Sequence, residues 1–333
     1  MVQQRLAAIL LIALTADAQF KTSVPLVVAP LTVTDAQGRP VDGLTADYLR
    51  VLDNGIPQAF ELTTLGEPLS VVVAIQENLV SQPMLDKVRD IGTILSDAVA
   101  GEGGKVALLG FAAHAKLLQG FTDDSSKLTY ALHHLHLEEH GFAPVETAGE
   151  AVRMLSAEEG KSRRVIVMLS QGKEMVSGKS VEEVKHLAQA ANVEIYWLDF
   201  SAFLAPFTTK RKTVWDRMSD EEKADHKFPS GHELDITPPD SDGGSLIGGL
   251  MKLAERDVAG PLTSATGGRK FTFATKAKLE AMLQEAAADM HRKYFVTFQP
   301  KGVDTPGFHT LRIEVKGRSG LRVRTRSGYW SGS

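Results

Sequence analysis

Cysteine is absent from this 333-residue chain, which excludes disulfide bonds, thiolate metal sites and thiol catalysis. Aromatic residues make up only 7% of the sequence, and neither charge dominates, since 37 Lys and Arg stand against 41 Asp and Glu. The net charge of −4 argues against a nucleic-acid-binding protein, because such proteins carry a basic surface. No apolar run beyond the N-terminus reaches the ~20 residues of a transmembrane helix. Hydrophobic residues nevertheless reach 43%, which is enough for a large core.

The first 18 residues have the pattern of a signal peptide. Arg5 precedes an apolar run from Leu6 to Leu14, and Ala16-Asp17-Ala18 has the small-x-small form of a cleavage site. We therefore expect cleavage before Gln19 and an exported protein, periplasmic or extracellular, with no transmembrane anchor. A buried N-terminal helix is the alternative interpretation of this run.

Hydrophobic patterning divides the mature chain into three regions. Residues 19–67 alternate as strands do and form an N-terminal β segment. Residues 68–292 alternate buried strands with helices, beginning with the uninterrupted apolar run Leu69–Ile75, which is typical of a central parallel strand. A polar insertion without periodicity interrupts this region at about 202–239. Residues 293–333 form a C-terminal β segment.

This order predicts an α/β fold, with a doubly wound, mostly parallel sheet and a small β domain beside it. Neither terminal β segment has a helix to cover its apolar face, and each is too small to be stable alone. We therefore expect the C-terminal β segment to pair with the N-terminal one and so protect their strand edges. In doubly wound sheets, ligands bind at the carboxyl ends of the strands.

From residue 69 onward the predicted elements follow the order strand, helix, strand, strand, helix, helix, strand, which resembles the von Willebrand factor type A domain. Motifs in the flanks resemble those of the "VWFA-related" proteins abundant in Acidobacteria. They are Thr32-Val33-Thr34-Asp35, Leu52-Asp53-Asn54-Gly55, Gly267-Gly268-Arg269 and Arg324-x-Arg326-x-Gly328-Tyr329-Trp330. The resemblance covers nearly the whole mature chain and implies a Rossmann-like domain.

The resemblance also implies a metal-ion-dependent adhesion site, made by Asp-x-Ser-x-Ser after the first strand, a Thr on a later loop and an Asp after the fourth strand. Gln76, Asn78 and Val80 occupy the first three positions, Ala143 takes the Thr position and Gln171 that of the second Asp. Because Mg²⁺ usually recruits carboxylates, we expect a degenerate site that holds no metal and no cofactor. The amides would either bind a polar group of a partner or satisfy nearby loop backbone.

Two other groups of side chains could supply ligands. Glu77 would add a carboxylate beside Gln76, although adjacent residues on a strand point to opposite faces. His133, His136 and His140 would share one face of a helix at spacings i, i+3 and i+7, a pattern suited to zinc, nickel or copper. The alternative for these histidines is a solvated helix end. No Gly-x-Ser-x-Gly elbow or His-Glu-x-x-His motif indicates catalysis.

These observations favour a secreted, non-enzymatic binding or adhesion-like module with a metal-free type A domain and a protein or envelope partner. Two alternatives stay open. One is a structural subunit of an envelope assembly that recruits a partner by strand addition. The other is an enzyme or metal binder that uses the segment from His133 to His140 or the insertion. An amide-rich sheet top would favour the binding module, an exposed strand edge the assembly subunit, and a pocket of convergent ionisable groups the enzyme.

Overall fold

The computed structural model describes residues 26–64, 67–138, 141–174, 180–202, 204, 256–275, 277–302 and 306–331. The expected signal peptide, almost all of the 202–239 insertion, and His140 therefore lie outside the described residues. No helix in the described part of the chain combines the length and the hydrophobicity that crossing a bilayer requires.

The described strands and helices cover most of these residues. The strands are β1 (Val27–Thr34), β2 (Leu49–Asp53), β3 (Ile56–Gln58), β4 (Glu61–Thr63), β5 (Leu69–Gln76), β6 (Lys105–Phe111), β7 (Ala115–Thr122), β8 (Arg163–Ser170), β9 (Lys173–Glu174), β10 (Val193–Asp199), β11 (Arg256–Asp257), β12 (Lys270–Thr272), β13 (Tyr294–Phe298), β14 (Gly307–Val315), β15 (Arg322–Thr325) and β16 (Gly328–Ser331). The helices are α1 (Gln82–Val88), α2 (Gly92–Ile94), α3 (Ser125–His133), α4 (Pro144–Ala157), α5 (Val181–Ala190), α6 (Ala259–Thr266) and α7 (Lys278–His291). Short 3-10 turns lie at Ala46–Tyr48 and Leu79–Ser81, and a π-helical turn, Leu95–Ala100, continues α2.

A six-stranded sheet forms the centre of the α/β domain. Its order is β12-β10-β8-β5-β6-β7, and every neighbouring pair is parallel except β6 and β7. All eight residues of β5 are buried, as its apolar run predicts. Helices α1, α3 and α7 pack on one face, and α4, α5 and α6 pack on the other. The predicted doubly wound sheet is therefore confirmed.

The two chain ends form a β unit of two small antiparallel sheets, with orders β15-β1-β13-β4 and β16-β14-β2-β3. In the first sheet β1 pairs with β13, so that Val27 lies opposite Phe298; in the second β2 pairs with β14, so that Leu49 lies opposite Val315. One apolar cluster joins both sheets, with Leu31 from the N-terminal segment and other members from the C-terminal one. The predicted fold class, with a β domain built from both termini, is confirmed. The exact domain boundaries stay a prediction.

Several element boundaries differ from the sequence expectation. The spacing of apolar residues over Met84–Ala100 predicts one helix, but the helix is interrupted after Val88. Gly92 then lies so close to α3 that a Cβ there would sit 2.2 Å from Thr129 Oγ1. The pattern of Pro57–Leu62 predicts one strand, but the structure divides this segment between β3 and β4, which belong to different sheets. Helix α6 was not expected, since its Ala-Gly-Pro start has little helix propensity. In each case tertiary packing overrides local preference.

Candidate functional site

The carboxyl ends of β5 and β8 place two glutamines side by side at the top of the central sheet. Gln76 is the last residue of β5, and Gln171 directly follows β8. Because β5 and β8 are neighbouring parallel strands, both side chains reach the same edge. Gln76 is fully buried and Gln171 is half-buried.

Three amide side chains form a hydrogen-bonded cluster at this edge, which we call the amide cluster (Gln76, Asn78 and Gln171). Gln76 Nε2 donates to Asn78 Oδ1 at 2.9 Å and to Gln171 Oε1 at 3.1 Å. The backbone N–H of Gln171 donates back to Gln76 Oε1 at 2.9 Å. Every polar atom of the Gln76 amide therefore has a partner within the cluster.

Asn78 connects the amide cluster to two loops. Its Nδ2 donates to the carbonyl of Gly141 at 3.0 Å, and its Oδ1 also accepts from the backbone N–H of Ser81 at 3.3 Å, which caps the turn Leu79–Ser81. Ala143 precedes α4 and offers only backbone groups; its N–H donates to the carbonyl of Ala112 at 2.9 Å. Val80 lies in the capped turn, and its side chain lies outside the described part. The structure thus brings Gln76, Asn78 and Gln171 together.

The element order now identifies the fold. From β5 to β8 the chain runs strand, helix, strand, strand, helix, helix, strand, with the single antiparallel strand β7 at the sheet edge. This is the order that resembles the type A domain. The α/β domain is von Willebrand factor type A-like.

The solved structures similar to this chain include one of a von Willebrand factor type A protein. A von Willebrand factor type A structure from Catenulispora acidiphila is 10% identical, with 93% of this chain and 75% of that one covered and a TM-score of 0.45. BatB from Bacteroides thetaiotaomicron is 15% identical, with 67% and 98% covered and a TM-score of 0.41. Proximal thread matrix protein 1 from the mussel byssus is 11% identical, with 80% of this chain but only 50% of that one covered and a TM-score of 0.42. No protein-family model and no curated protein matches the sequence.

The amide cluster does not fit the Mg²⁺ ion that type A-like folds imply. Oxygen ligands of Mg²⁺ must point their lone pairs at the ion, and carboxylates usually offset the cost of its dehydration. Here Gln76 Oε1, Asn78 Oδ1 and Gln171 Oε1 all accept protein hydrogen bonds, and none carries a charge. Hydrogen bonds of these amides instead join the loops that follow β5 and β8 and the loop at Gly141.

Glu77 is buried on the opposite face of the type A-like sheet from the amide cluster. Its carboxylate lies directly over Gly110 of β6, where an added Cβ would sit 2.4 Å from Glu77 Oε2. That oxygen has no hydrogen-bond partner among the described residues, and only 1% of Glu77 is exposed. Burial, reinforced by the nearby Glu138 carboxylate and opposed by Lys116, raises the pKa of Glu77 to about 7. Glu77 therefore does not supplement the amide cluster with a ligand.

The raised pKa of Glu77 predicts a stability change near neutral pH. The unfolded chain releases this proton near the ordinary pKa of 4.5, whereas the folded chain retains it to about 7. The contribution of Glu77 to the free energy of unfolding is therefore greatest below pH 4.5. This contribution decreases by up to about 3 kcal/mol as the pH rises through 7. We expect Glu77→Gln to abolish this loss in urea denaturation at pH 5 and pH 8. Glu138→Gln, at an exposed position, is the control and should leave most of it; an unchanged pH profile in Glu77→Gln would contradict the assignment.

A charged cluster that sequence analysis missed lies beside Gln171, at the end of β10. Asp199 accepts from the backbone N–H of Ser201 at 2.8 Å, and its other oxygen lies 3.0 Å from Lys270 Nζ. Lys270 also contacts Asp257 at 3.2 Å. The position of Asp199 at the carboxyl end of a buried strand was the signal available in the sequence. Because Lys270 neutralises Asp199, this carboxylate adds no free charge to the sheet top.

The histidines expected on one helical face are not brought together on a helix. Helix α3 ends at His133, so His136 lies beyond it, and both side chains are exposed. The helix ends early because the following chain pairs with the sheet top: the Glu138 N–H donates to the Glu77 carbonyl at 2.9 Å. Among the described residues, no group of three or more His, Asp or Glu side chains is placed to hold a metal. The predicted helix that would align His133 and His136 was therefore wrong, because α3 ends at His133.

Proposed function

We propose that this protein is an exported, non-enzymatic binding or adhesion-like module whose type A-like domain holds a protein or envelope partner at the sheet top without a metal ion. The observation that carries the proposal is the closed amide cluster. It holds the loops at the sheet top by hydrogen bonds between neutral groups, so a partner meets a preformed site in the absence of a cation. Export, with cleavage before Gln19, is part of the proposal.

The surface around the amide cluster offers both an apolar and a polar contact. Leu79 directly follows Asn78, and 49% of this side chain is exposed. Gln171 uses its Oε1 within the cluster, while its Nε2 donates to no described residue. An exposed leucine beside an amide donor suits a protein partner that offers an apolar side chain and a backbone carbonyl.

Capture of an envelope partner on the immobilised mature protein tests the proposal. We expect the same captured amount with EDTA and with Mg²⁺, and no saturable Mg²⁺ binding in calorimetry. Leu79→Asp should weaken capture at least ten-fold, because it places a charge in the apolar contact. Leu117→Asp is the matched control, since Leu117 is 57% exposed but lies on the edge strand β7, which β6 separates from β5. Saturable Mg²⁺ binding that Gln76→Ala abolishes would contradict the metal-free proposal.

The same experiment separates the proposal from strand addition. The outer strands of the β unit's sheets, β3, β4, β15 and β16, have only three or four residues each, so they offer little edge to a partner strand. Strand β7 has eight residues and is the longer edge. Loss of capture in Leu117→Asp but not in Leu79→Asp would favour an assembly subunit that binds through β7.

A further inference from the structure

A cavity of about 400 Å³ lies where the β unit meets the base of the central sheet. One wall is formed by β1 and β13, and the other by the amino ends of β8 and β10 with the C-terminal end of α5. The amide cluster lies at the opposite, carboxyl end of the strands, so the cavity is separate from the proposed partner site. Its volume is within the range of roughly 300–1,000 Å³ that is typical of small-molecule sites.

The wall formed by the β unit is apolar, although it faces away from the β unit's own core. Alternate residues of β1, such as Val27 and Ala29, are buried in that core. The intervening residues Val28 and Pro30 line the cavity, as does Leu26 just before the strand. Leu26 is 61% exposed and Val28 is 41% exposed, so β1 presents apolar side chains on both faces. A strand that faced only water on this side would carry polar residues there.

The opposite wall carries cationic groups. Arg163 stacks over the ring of Phe295 at 4.7 Å and lies 2.7 Å from Glu194, but its buried Nε has no acceptor among the described residues. Among the described residues, the Arg164 side chain makes a single hydrogen bond, 3.2 Å to the carbonyl of Ala191. Most of the donors of Arg164 therefore stay available to a ligand.

A third guanidinium, that of Arg326, is held by neutral acceptors alone. It donates to the carbonyls of Gly328 at 2.8 Å and Gln189 at 2.9 Å and to the side chain of Asn192. Because burial removes water and no described carboxylate bonds to it, the pKa of Arg326 falls to about 10. Positive charge at the cavity is thus only partly balanced.

The carboxylates near the cavity do not balance this charge. Glu194 is engaged by both Arg163 and the buried Lys293. Burial alone would raise the pKa of Glu194, but these two cations hold it below its usual value. Glu67 also lines the cavity but is exposed. Three guanidiniums therefore line the cavity against two carboxylates, which favours an anionic ligand.

We propose that this cavity binds a small amphipathic carboxylate, with its apolar body against Leu26, Val28 and Phe295 and its carboxylate on Arg164. The planar guanidinium matches a carboxylate with two parallel hydrogen bonds. The apolar wall supplies the hydrophobic part of the binding free energy because it removes the exposed Leu26 and Val28 side chains from water.

Calorimetric titration of the full chain with octanoate tests this inference. We expect saturable one-to-one binding of octanoate and no saturable binding of octanol, which lacks the charge. Arg164→Gln should weaken octanoate binding roughly ten-fold or more, the usual effect of losing a charge-assisted hydrogen bond. Val28→Asp should abolish it, because the new carboxylate both repels the ligand and interrupts the apolar wall. Arg153→Gln removes a surface cation that pairs with Glu150, and should leave the affinity unchanged.

Two further measurements keep the test decisive. Thermal unfolding followed by circular dichroism checks that Val28→Asp folds, and Arg164→Gln tests the charge independently if it does not. Octyl phosphate distinguishes the headgroup, since tighter binding of octyl phosphate than of octanoate would overturn the carboxylate assignment. Equal affinity for octanol, an unchanged affinity in Arg164→Gln, or no saturable binding of octanoate at millimolar concentration would overturn the proposal. None of these outcomes tests the separate proposal that the sheet top captures a protein partner.

Discussion

Removal of residues 308–333 should unfold the N-terminal β segment, although every residue of that segment remains in the chain. The deletion removes β15, which pairs with β1, and nearly all of β14, which pairs with β2. It also removes the core residues Leu311, Ile313 and Tyr329. What remains of the second sheet is the two-stranded pair β2 and β3, and an isolated two-stranded ribbon is marginally stable at best.

Hydrogen exchange measures this effect within one molecule. Amides of Val27–Val33 and Leu49–Val51 should lose protection in the truncated protein. Amides of Val71–Ile75 in β5 should keep it, because the core of the type A-like domain is retained. These central-strand amides are therefore the internal control. Full protection of Val27–Val33 after truncation would show that the two chain ends are stable independently.

The sequence was sufficient to predict the central sheet because its strands are long apolar runs. Leu69–Ile75 is apolar at all positions except Ser70, and a run of this length is typical of a strand covered on both faces. In β14 the alternation that buries His309, Leu311 and Ile313 similarly predicts a strand with one covered face. Pairing of the chain ends followed because neither segment could bury its apolar face alone.

The arrangement of the site could be predicted only in part. The sequence identifies amides at Gln76, Asn78 and Gln171, but their mutual hydrogen bonds depend on side-chain orientation, which no spacing rule specifies. The ion pair of Asp199 with Lys270 joins strands that are far apart in sequence and separated by the insertion. The cavity at the base depends on how the β unit docks, and this docking leaves no local pattern.

Helix α3 ends earlier than its periodicity predicts because the following chain makes tertiary contacts. Local spacing permits a helix through His136, and nothing in the sequence between His133 and Leu137 would stop it. The structure instead ends α3 at His133, where the chain turns and pairs Glu138 with the backbone beside Asn78. Backbone hydrogen bonds to the sheet top replace those that another helical turn would have made. His133 and His136 therefore do not share a helical face.

Glu194→Ala should destabilise the protein by about 3–5 kcal/mol, the usual cost of removing one partner from a buried ion pair. Glu194 pairs with Lys293, whose side chain is only 1% exposed, and with Arg163, whose side chain is 11% exposed. Without this carboxylate, Lys293 retains one hydrogen bond, 3.3 Å to the Gly267 carbonyl, and the nearby Asp289 carboxylate compensates its buried charge only in part. Urea denaturation followed by the fluorescence of the buried Trp197 measures the loss.

Two further variants test whether the unpaired charge of Lys293 causes the loss of stability in Glu194→Ala. Glu150→Ala breaks an exposed pair with Arg153 and should change stability by no more than about 0.5 kcal/mol. The double variant Glu194→Gln with Lys293→Met retains an acceptor for Arg163 and removes the buried ammonium, so it should be more stable than Glu194→Ala. If the double variant is instead as unstable as the sum of its single variants, the two side chains are not coupled. The network would then stabilise the junction between the β unit and the type A-like domain through packing, since charge compensation would have no measurable part in it.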